Sequence, residues 1–205
     1  MNALQLTLAA GAALGSYLLG SIPTALLVAR LAGGPDPRTV GTGNAGASNV
    51  LVSSGVVAGL AVFLVDVAKG PVAATCGLVL AGPFGAAAAA LAAIAGQVAP
   101  VFASFRGGKG VATTLGAYLA LVPAFAVLGI ATWLVALLLV RRFVIATLIA
   151  MIGLAVSAVA LDVYPAFAIP AALISLFAHR RDIATWRRGE MRTVGETLRD
   201  NRPAR

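Results

Sequence analysis

The sequence predicts an all-α polytopic membrane protein with about seven transmembrane helices. Of its 205 residues 60% are hydrophobic and only 11% are charged, whereas soluble domains are roughly 45–50% apolar and about 25% charged. The mean hydropathy is +0.97. Long apolar segments alternate with short polar gaps, and the basic residues fall in every second gap. These three observations together indicate a chain that crosses a bilayer several times.

The apolar segments have the length that a membrane span requires, which is roughly 20 residues. We predict helices over residues 4–29, 54–80, 84–104, 111–122, 124–140, 143–161 and 163–178. Pro123 divides what would otherwise be one overlong segment, because proline breaks or kinks a helix. No Lys or Arg precedes Arg30, so the first segment lacks the basic start of a signal peptide and is predicted to be a retained span.

The charge pattern predicts the orientation of the chain. Residues 30–53, 105–110, 141–142 and 179–205 hold all the basic residues except Lys69. Lys and Arg favour the cytoplasmic side, so we predict an outside N-terminus and a cytoplasmic C-terminus. The scarcity of Lys and the abundance of Ala, Val, Gly and Arg suggest a bacterial source. Residues 180–205 form a basic tail within a single membrane domain over 1–205. The tail is predicted to contact anionic lipid and, without interleaved aromatic residues, no nucleic acid.

Cysteine and histidine are too scarce for a metal or disulfide framework. Cys76 is the one cysteine and His179 the one histidine. One cysteine allows no disulfide within the chain, and zinc would need carboxylates for most of its ligands. We therefore predict no metal and no cofactor.

Residues 35–49, called loop 1 here, are rich in glycine and small polar side chains. Gly41, Gly43 and Gly46 match G-x-G-x-x-G, but a nucleotide-binding unit needs a preceding strand, and a membrane helix is predicted there. Closely spaced N–H, hydroxyl and amide donors suit an oxyanion or phosphate. Asn44 and Asn49 favour such a site over the alternative of a flexible linker.

Residues 105–110, called loop 2 here, read Phe-Arg-Gly-Gly-Lys-Gly and precede a predicted helix. A helix N-terminus presents unsatisfied N–H groups and a positive dipole end to an anion. With Arg106 and Lys109 this makes a phosphate site, and Gly110 after the lysine shows that the motif is not a Walker A loop. The alternative is a pair of basic residues that merely end a membrane helix.

Four further ionisable residues lie at or near the membrane. Asp66 and Lys69 share a helical face at membrane depth, where ionisable residues are usually paired or functional. Either they neutralise each other and fasten the bundle, or Lys69 contacts substrate. His179, followed by Asp182, stands where the last helix leaves the membrane, a position that an interfacial histidine also explains.

These motifs occur in one order that resembles a known family. Loop 1, the pair Asp66 and Lys69-Gly70, the run Gly-Gly-Lys-Gly-Val-Ala-Thr at 107–113 and the turn Gly-Ser-Ile-Pro-Thr at 20–24 are similar to those of the bacterial acyl-phosphate:glycerol-3-phosphate acyltransferases, the PlsY family. The resemblance covers about residues 15–190. It implies seven transmembrane helices with the N-terminus outside.

The resemblance also implies an activity and a set of site residues. The family transfers a fatty acyl group from acyl phosphate to the 1-hydroxyl of glycerol 3-phosphate, without metal, and gives lysophosphatidic acid and phosphate. Besides these substrates and membrane lipid, the enzyme that makes acyl phosphate is an expected partner. The predicted catalytic residues are Thr42, Asn44, Lys109, His179 and Asp182. The predicted binding residues are Arg38, Gly41, Gly43, Gly46, Asn49, Lys69, Arg106, Gly107, Gly108 and Gly110.

This sequence departs from the family pattern at several motif positions. Thr42 stands where the family usually has Ser, Val52 where it has Arg, Gln97 where it has His and Asp182 where it has Asn. Arg38 or Arg106 could supply the charge that Val52 lacks. The alternatives to the acyltransferase are therefore a divergent, non-catalytic relative and a membrane transporter for a phosphorylated small molecule.

Overall fold

The computed structural model describes residues 2–191 and 193, and in these residues all regular structure is helical. The α-helices are α1 (Ala3–Gly20), α2 (Thr24–Leu31), α3 (Ala47–Ser54), α4 (Val56–Val98), α5 (Val111–Leu121), α6 (Pro123–Val140), α7 (Phe143–Ala160), α8 (Pro165–Ala178) and α9 (Arg180–Arg187). A single 3₁₀ turn covers Val101–Ala103. The predicted all-α class is confirmed. Part of the predicted basic tail, at 192 and 194–205, lies outside the described residues.

Four stretches are long and apolar enough to cross a membrane. They are Ala3–Leu31, Val56–Ala103, Pro123–Val140 and Phe143–Ala160, and the shorter apolar helices are Val111–Leu121 and Pro165–Ala178. Each of the seven predicted segments corresponds to helix in the structure. The number of crossings and the orientation of the termini stay predictions.

The first predicted segment is not one continuous helix. α1 ends at Gly20, and α2 begins at Thr24 after the turn Ser21-Ile22-Pro23. Pro23 has no N–H to continue the helical ladder, so the carbonyls just before it need other donors. The expectation of unbroken helix over 4–29 is corrected on this point, and the break proves important for the site.

α4 consists of two antiparallel limbs, residues 56–80 and 83–98. Ala81 and Gly82 have non-helical backbone angles, and Gly82 adopts φ +67°. Next to this turn Gly77 and Gly85 lie so close that a Cβ on either would overlap the backbone of the other. The turn falls in the predicted gap at 81–83. The second limb ends at Val98, earlier than the predicted 104, because Pro100 and the 3₁₀ turn follow.

The described contacts divide the chain into two compact units, Met1–Ala126 and Val127–Arg205. In the first unit α1, α4 and α5 pack through small residues. A Cβ on Gly20 would overlap the backbone of Ala93, and one on Gly116 would overlap the Val67 carbonyl. Such close backbone approach is typical of helix packing in membranes, where no hydrophobic force holds helices together. The predicted single domain over 1–205 stays a prediction.

The second unit contains most of α6, and α7, α8 and α9. Trp133 of α6 donates its indole N–H to Thr147 Oγ1 of α7 at 3.1 Å, and its ring lies 5.5 Å from that of Phe143. A Cβ on Gly129 would come within 2.9 Å of Leu154, so α6 and α7 pack closely. The split at Pro123 is confirmed, since α5 ends at Leu121 and α6 begins at the proline.

Candidate functional site

Loop 1 folds around the side chain of Asn49, which is 3% exposed. Its amide nitrogen donates to the carbonyls of Pro37 at 2.6 Å, Asn44 at 3.0 Å and Val40 at 3.1 Å. Its amide oxygen accepts the backbone N–H of Thr42 at 3.2 Å. One carboxamide therefore holds both ends of the glycine-rich segment.

The glycines of loop 1 make room for that carboxamide and for the turn around it. Gly41 has φ +56° and Gly43 has φ +66°, a left-handed conformation that favours glycine. A Cβ on Gly41 would overlap Asn49 Oδ1, and one on Gly46 would lie 2.9 Å from the Asn44 amide nitrogen. Loop 1 is thus ordered and is not the flexible linker that the sequence left as an alternative. The Asn49 amide orders the loop, and its predicted contact with substrate stays a prediction.

Replacing Asn49 by Ala is expected to lower both stability and activity. The change removes the donor to the carbonyls of Pro37 and Asn44 and the acceptor of the Thr42 N–H, and each buried group left unsatisfied costs about 1–3 kcal/mol. Thermal unfolding in detergent and an activity assay on the same preparation measure the two effects. Ser48→Ala is the matched control, because Ser48 is its exposed neighbour. Equal stability of the two variants would contradict the loop-ordering role.

Arg38 lies in loop 1 as an ion pair with Asp36. The guanidinium donates Nη2–H to Asp36 Oδ2 at 2.7 Å and Nε–H to both carboxylate oxygens at 3.1 Å. This side-chain hydrogen bond is the main reason that the pKa of Asp36 lies below its ordinary value, and the charge of Arg106 lowers that pKa further. Arg38 therefore contributes a partly neutralised charge to loop 1. Arg106 is exposed, and its charge is close enough to act on Asp36.

Loop 2 leads from the end of α4 into α5. Ser104 and Phe105 have left-handed backbone angles, with φ +53° and +59°, and Gly110 before α5 has φ +72°. The N–H of Gly108 donates to the Gln97 carbonyl at 2.9 Å. Lys109 is half-buried at the start of α5. Loop 2 thus has the predicted geometry of a basic, glycine-rich turn at a helix N-terminus.

The two loops meet in the first unit. A Cβ on Gly108 would come within 2.9 Å of the Ala45 carbonyl oxygen, so the loops are in contact there. Both line one pocket, to which the break between α1 and α2 contributes as well. The lining comprises Gly20, Ile22, Pro23, Thr24, Ala25, Leu26, Ala45, Gln97, Pro100, Ala103, Arg106, Gly107 and Gly108. Loops 1 and 2 therefore meet at one pocket of the first unit.

Gln97, which lines this pocket, belongs to a buried cluster with Asp66 and Lys69. Lys69 Nζ is 2.9 Å from Asp66 Oδ1 and donates to Gln97 Oε1 at 2.6 Å and to the Ile22 carbonyl at 2.8 Å. Lys69 was predicted to bind phosphate or to pair with Asp66, and the structure shows the pairing. Its ammonium is 3% exposed, and its donors are directed at protein acceptors.

Sequence reasoning missed the part that Gln97 plays. In the sequence, Gln97 differs from its neighbours only as a departure from a family pattern. A glutamine near the end of an apolar helix does indicate polar partners nearby, because buried polar groups are hydrogen-bonded. The residues it contacts lie 28 and 31 positions earlier in the chain, and no periodicity connects them.

His179 and Asp182 belong to the second unit. His179 is buried at the end of α8, and its Nδ1 lies 2.7 Å from the Ser175 carbonyl oxygen. A carbonyl only accepts, so Nδ1 carries a proton and donates it to this oxygen. Asp182 lies in the first turn of α9, where the helix dipole favours a carboxylate. Within the described part of the chain no three His, Cys, Asp or Glu residues group as a metal site.

Comparisons with known proteins match nearly the whole chain. The family model "Glycerol-3-phosphate acyltransferase" matches residues 10–189. A protein of that name from Laribacter hongkongensis is 40% identical over 187 residues, which is 88% of this chain and 93% of the relative. Another from Thioalkalivibrio sulfidiphilus is 39% identical over 201 residues, covering 94% and 97%.

Two crystal structures of the integral membrane glycerol 3-phosphate acyltransferase PlsY are similar as well. The glycerol 3-phosphate form superposes with a TM-score of 0.85 at 32% identity and covers 90% of this chain and 94% of that one. The form with lysophosphatidic acid has a TM-score of 0.84 at 31% identity and covers 93% and 98%.

Proposed function

This chain belongs to the glycerol-3-phosphate acyltransferase family and transfers an acyl group to glycerol 3-phosphate, and on that premise we propose that its acyl donor is an acyl phosphate. The product is then lysophosphatidic acid, and inorganic phosphate leaves. The observation that carries the proposal is the meeting of loops 1 and 2 at one pocket with Arg106 and Gly108 in its wall. Two glycine-rich loops in contact suit a reaction with two phosphate-bearing substrates.

The proposed chemistry needs no protein nucleophile. The 1-hydroxyl oxygen of glycerol 3-phosphate forms a bond to the acyl carbon, and the bond from that carbon to the phosphate oxygen breaks. The hydroxyl proton passes to a phosphate group, whose second pKa is about 6. The protein orients the two substrates and stabilises the charge that develops on the leaving phosphate.

The five predicted catalytic residues each have a place in this proposal. Lys109 and the N–H groups at the start of α5 hold a phosphate. Thr42 and Asn44, on the exposed and half-buried part of loop 1, offer a hydroxyl and a carboxamide to substrate. We assign His179 and Asp182 to the catalytic residues by their place in the family motif. A histidine whose Nδ1 is held by a backbone carbonyl presents Nε2 in a fixed direction.

We also propose the membrane setting of the reaction. The chain lies in the bacterial inner membrane with its N-terminus outside, which puts loops 1 and 2 on the cytoplasmic side. The basic residues of these loops support that orientation. Acyl phosphate has an apolar chain and an anionic head, so a site at the edge of the bilayer accepts both parts, and the enzyme that makes acyl phosphate is a fitting partner.

An assay with defined donors tests the proposal. We expect purified protein to release phosphate and form lysophosphatidic acid from acyl phosphate and glycerol 3-phosphate, and to form none from acyl-CoA. Transfer from acyl-CoA alone would overturn the donor assignment. No transfer from either donor would favour a non-catalytic relative, and Val52→Arg with Asp182→Asn would then show whether those two departures disable it.

A further inference from the structure

Three buried side chains in the first unit form a closed ring of contacts. Lys69 bonds to the Gln97 amide oxygen at 2.6 Å, and the Gln97 amide nitrogen donates to Asp66 Oδ2 at 2.8 Å. The ion pair between Lys69 and Asp66 closes the ring at 2.9 Å. The three residues are 3%, 7% and 3% exposed in the order named. A buried ion pair requires such additional hydrogen bonds to offset the desolvation of its charges.

The ring determines which way the Gln97 carboxamide points. Its oxygen faces the Lys69 ammonium and its N–H group faces the Asp66 carboxylate. The reverse orientation would place N–H groups against the ammonium and the oxygen against the carboxylate, and both contacts would be repulsive. The second limb of α4 is therefore held at Gln97 by two charges on the first limb. Lys69 extends the ring to the break between α1 and α2, where it donates to the Ile22 carbonyl at 2.8 Å.

Contacts on both sides of Lys109 connect loop 2 and the start of α5 to this ring. At the near end, the Gly108 N–H donates to the backbone carbonyl of Gln97, and a Cβ on Gly107 would overlap that same carbonyl. At the far end, Thr113 in the first turn of α5 donates its hydroxyl to the Asp66 carbonyl at 3.0 Å. Lys109 lies between the two attachments, so the position of loop 2 follows the position of the ring.

We propose that Gln97 is a positioning residue for the anion-binding loop, and that it acts by holding loop 2 against the buried pair of Asp66 and Lys69. The inference rests on the proposed role of loop 2 in binding phosphate. Gln97 binds the pair through its side chain and loop 2 through its main chain, so it connects a neutralised charge pair inside the membrane to the phosphate site at its edge.

Gln97→Met tests this proposal, because methionine has a similar volume but cannot make the hydrogen bonds to Lys69 and Asp66. We expect the KM for glycerol 3-phosphate and the Ki of inorganic phosphate each to rise about tenfold or more, the size expected when hydrogen bonds to charged groups are lost. Partial unfolding alone would lower the apparent kcat and leave KM and Ki unchanged. Gln97→His is expected to recover part of the loss, since imidazole offers one donor and one acceptor.

Tyr17→Phe is the matched control. It removes a hydrogen bond of 2.8 Å from α1 to the Ala99 carbonyl, which joins the same helices outside the ring, and it should leave KM and Ki unchanged. Thr113→Val removes the attachment at the far end of loop 2 with little change in shape. We expect it to raise the same two constants, and it decides the question if Gln97→Met does not fold.

The outcomes separate this inference from the proposed function. Wild-type activity with unchanged KM and Ki in both Gln97→Met and Thr113→Val overturns the positioning role and leaves the function intact. Equal constants for Gln97→Met and Gln97→His also overturn it, because the polar contacts would then not matter. Wild-type protein that phosphate does not inhibit contradicts the phosphate site of loop 2 itself.

Discussion

Lys109→Ala is expected to reduce acyl transfer by roughly 10²–10³-fold while the protein still folds in detergent, the loss typical of removing one donor that stabilises developing negative charge. Lys109 lies half-buried at the start of α5, directly after the glycines that contact Gln97 and loop 1. A cation fixed there adds its charge to the positive end of the helix. The measurement is phosphate release from acyl phosphate at saturating glycerol 3-phosphate.

Two further variants show whether the effect belongs to this ammonium. Arg30→Ala removes the same unit of charge from the exposed end of α2 and should retain near wild-type activity. Lys109→Arg keeps the charge but replaces a compact point charge by a planar fork, so we expect intermediate activity. Full activity of Lys109→Ala would remove loop 2 from the mechanism.

The elements that the sequence predicted well are those fixed by local chemistry. Pro123 divides α5 from α6 because a proline has no N–H for the ladder of a preceding helix. Loop 2 precedes a helix as predicted, and Gly110 before α5 has φ +72°, a conformation that glycine adopts readily. Long apolar runs of one composition predict helices in a bilayer, because only helices and closed barrels satisfy the backbone there.

The elements that sequence reasoning missed depend on contacts between distant residues. The break after Gly20 is stabilised by Lys69, which is 47 residues away from its acceptor Ile22. Hydropathy alone predicts one continuous helix across that break, because Ile22 and Pro23 are apolar. Asn49 looked like a substrate ligand, since its type suits one, yet its donors are directed back into loop 1. Residue type predicts which groups can bind, and only the fold determines what they bind.

Lys69→Met is expected to destabilise the fold by about 3–5 kcal/mol, the loss typical of removing one partner from a buried ion pair. The carboxylate of Asp66, 3% exposed, would then lose its charged partner, and the carbonyl of Ile22 would lose its ammonium donor. Because the whole stability of a domain is about 5–15 kcal/mol, this loss is a large fraction of it, and the unfolding temperature should fall markedly. Thermal unfolding in detergent, followed by tryptophan fluorescence, measures the change.

The double variant Asp66→Asn with Lys69→Met distinguishes an unpaired charge from lost packing. Without the carboxylate of Asp66, no residue of the ring carries a buried charge. The double variant should therefore be destabilised less than Lys69→Met. Such non-additivity is expected of residues in direct contact. If the two substitutions instead add, the charges do not act on each other, and the ring of Asp66, Lys69 and Gln97 would not be the structural unit that holds loop 2. A recovered double variant, still deficient in phosphate binding, would show that the ring positions the loop as well as stabilising the fold.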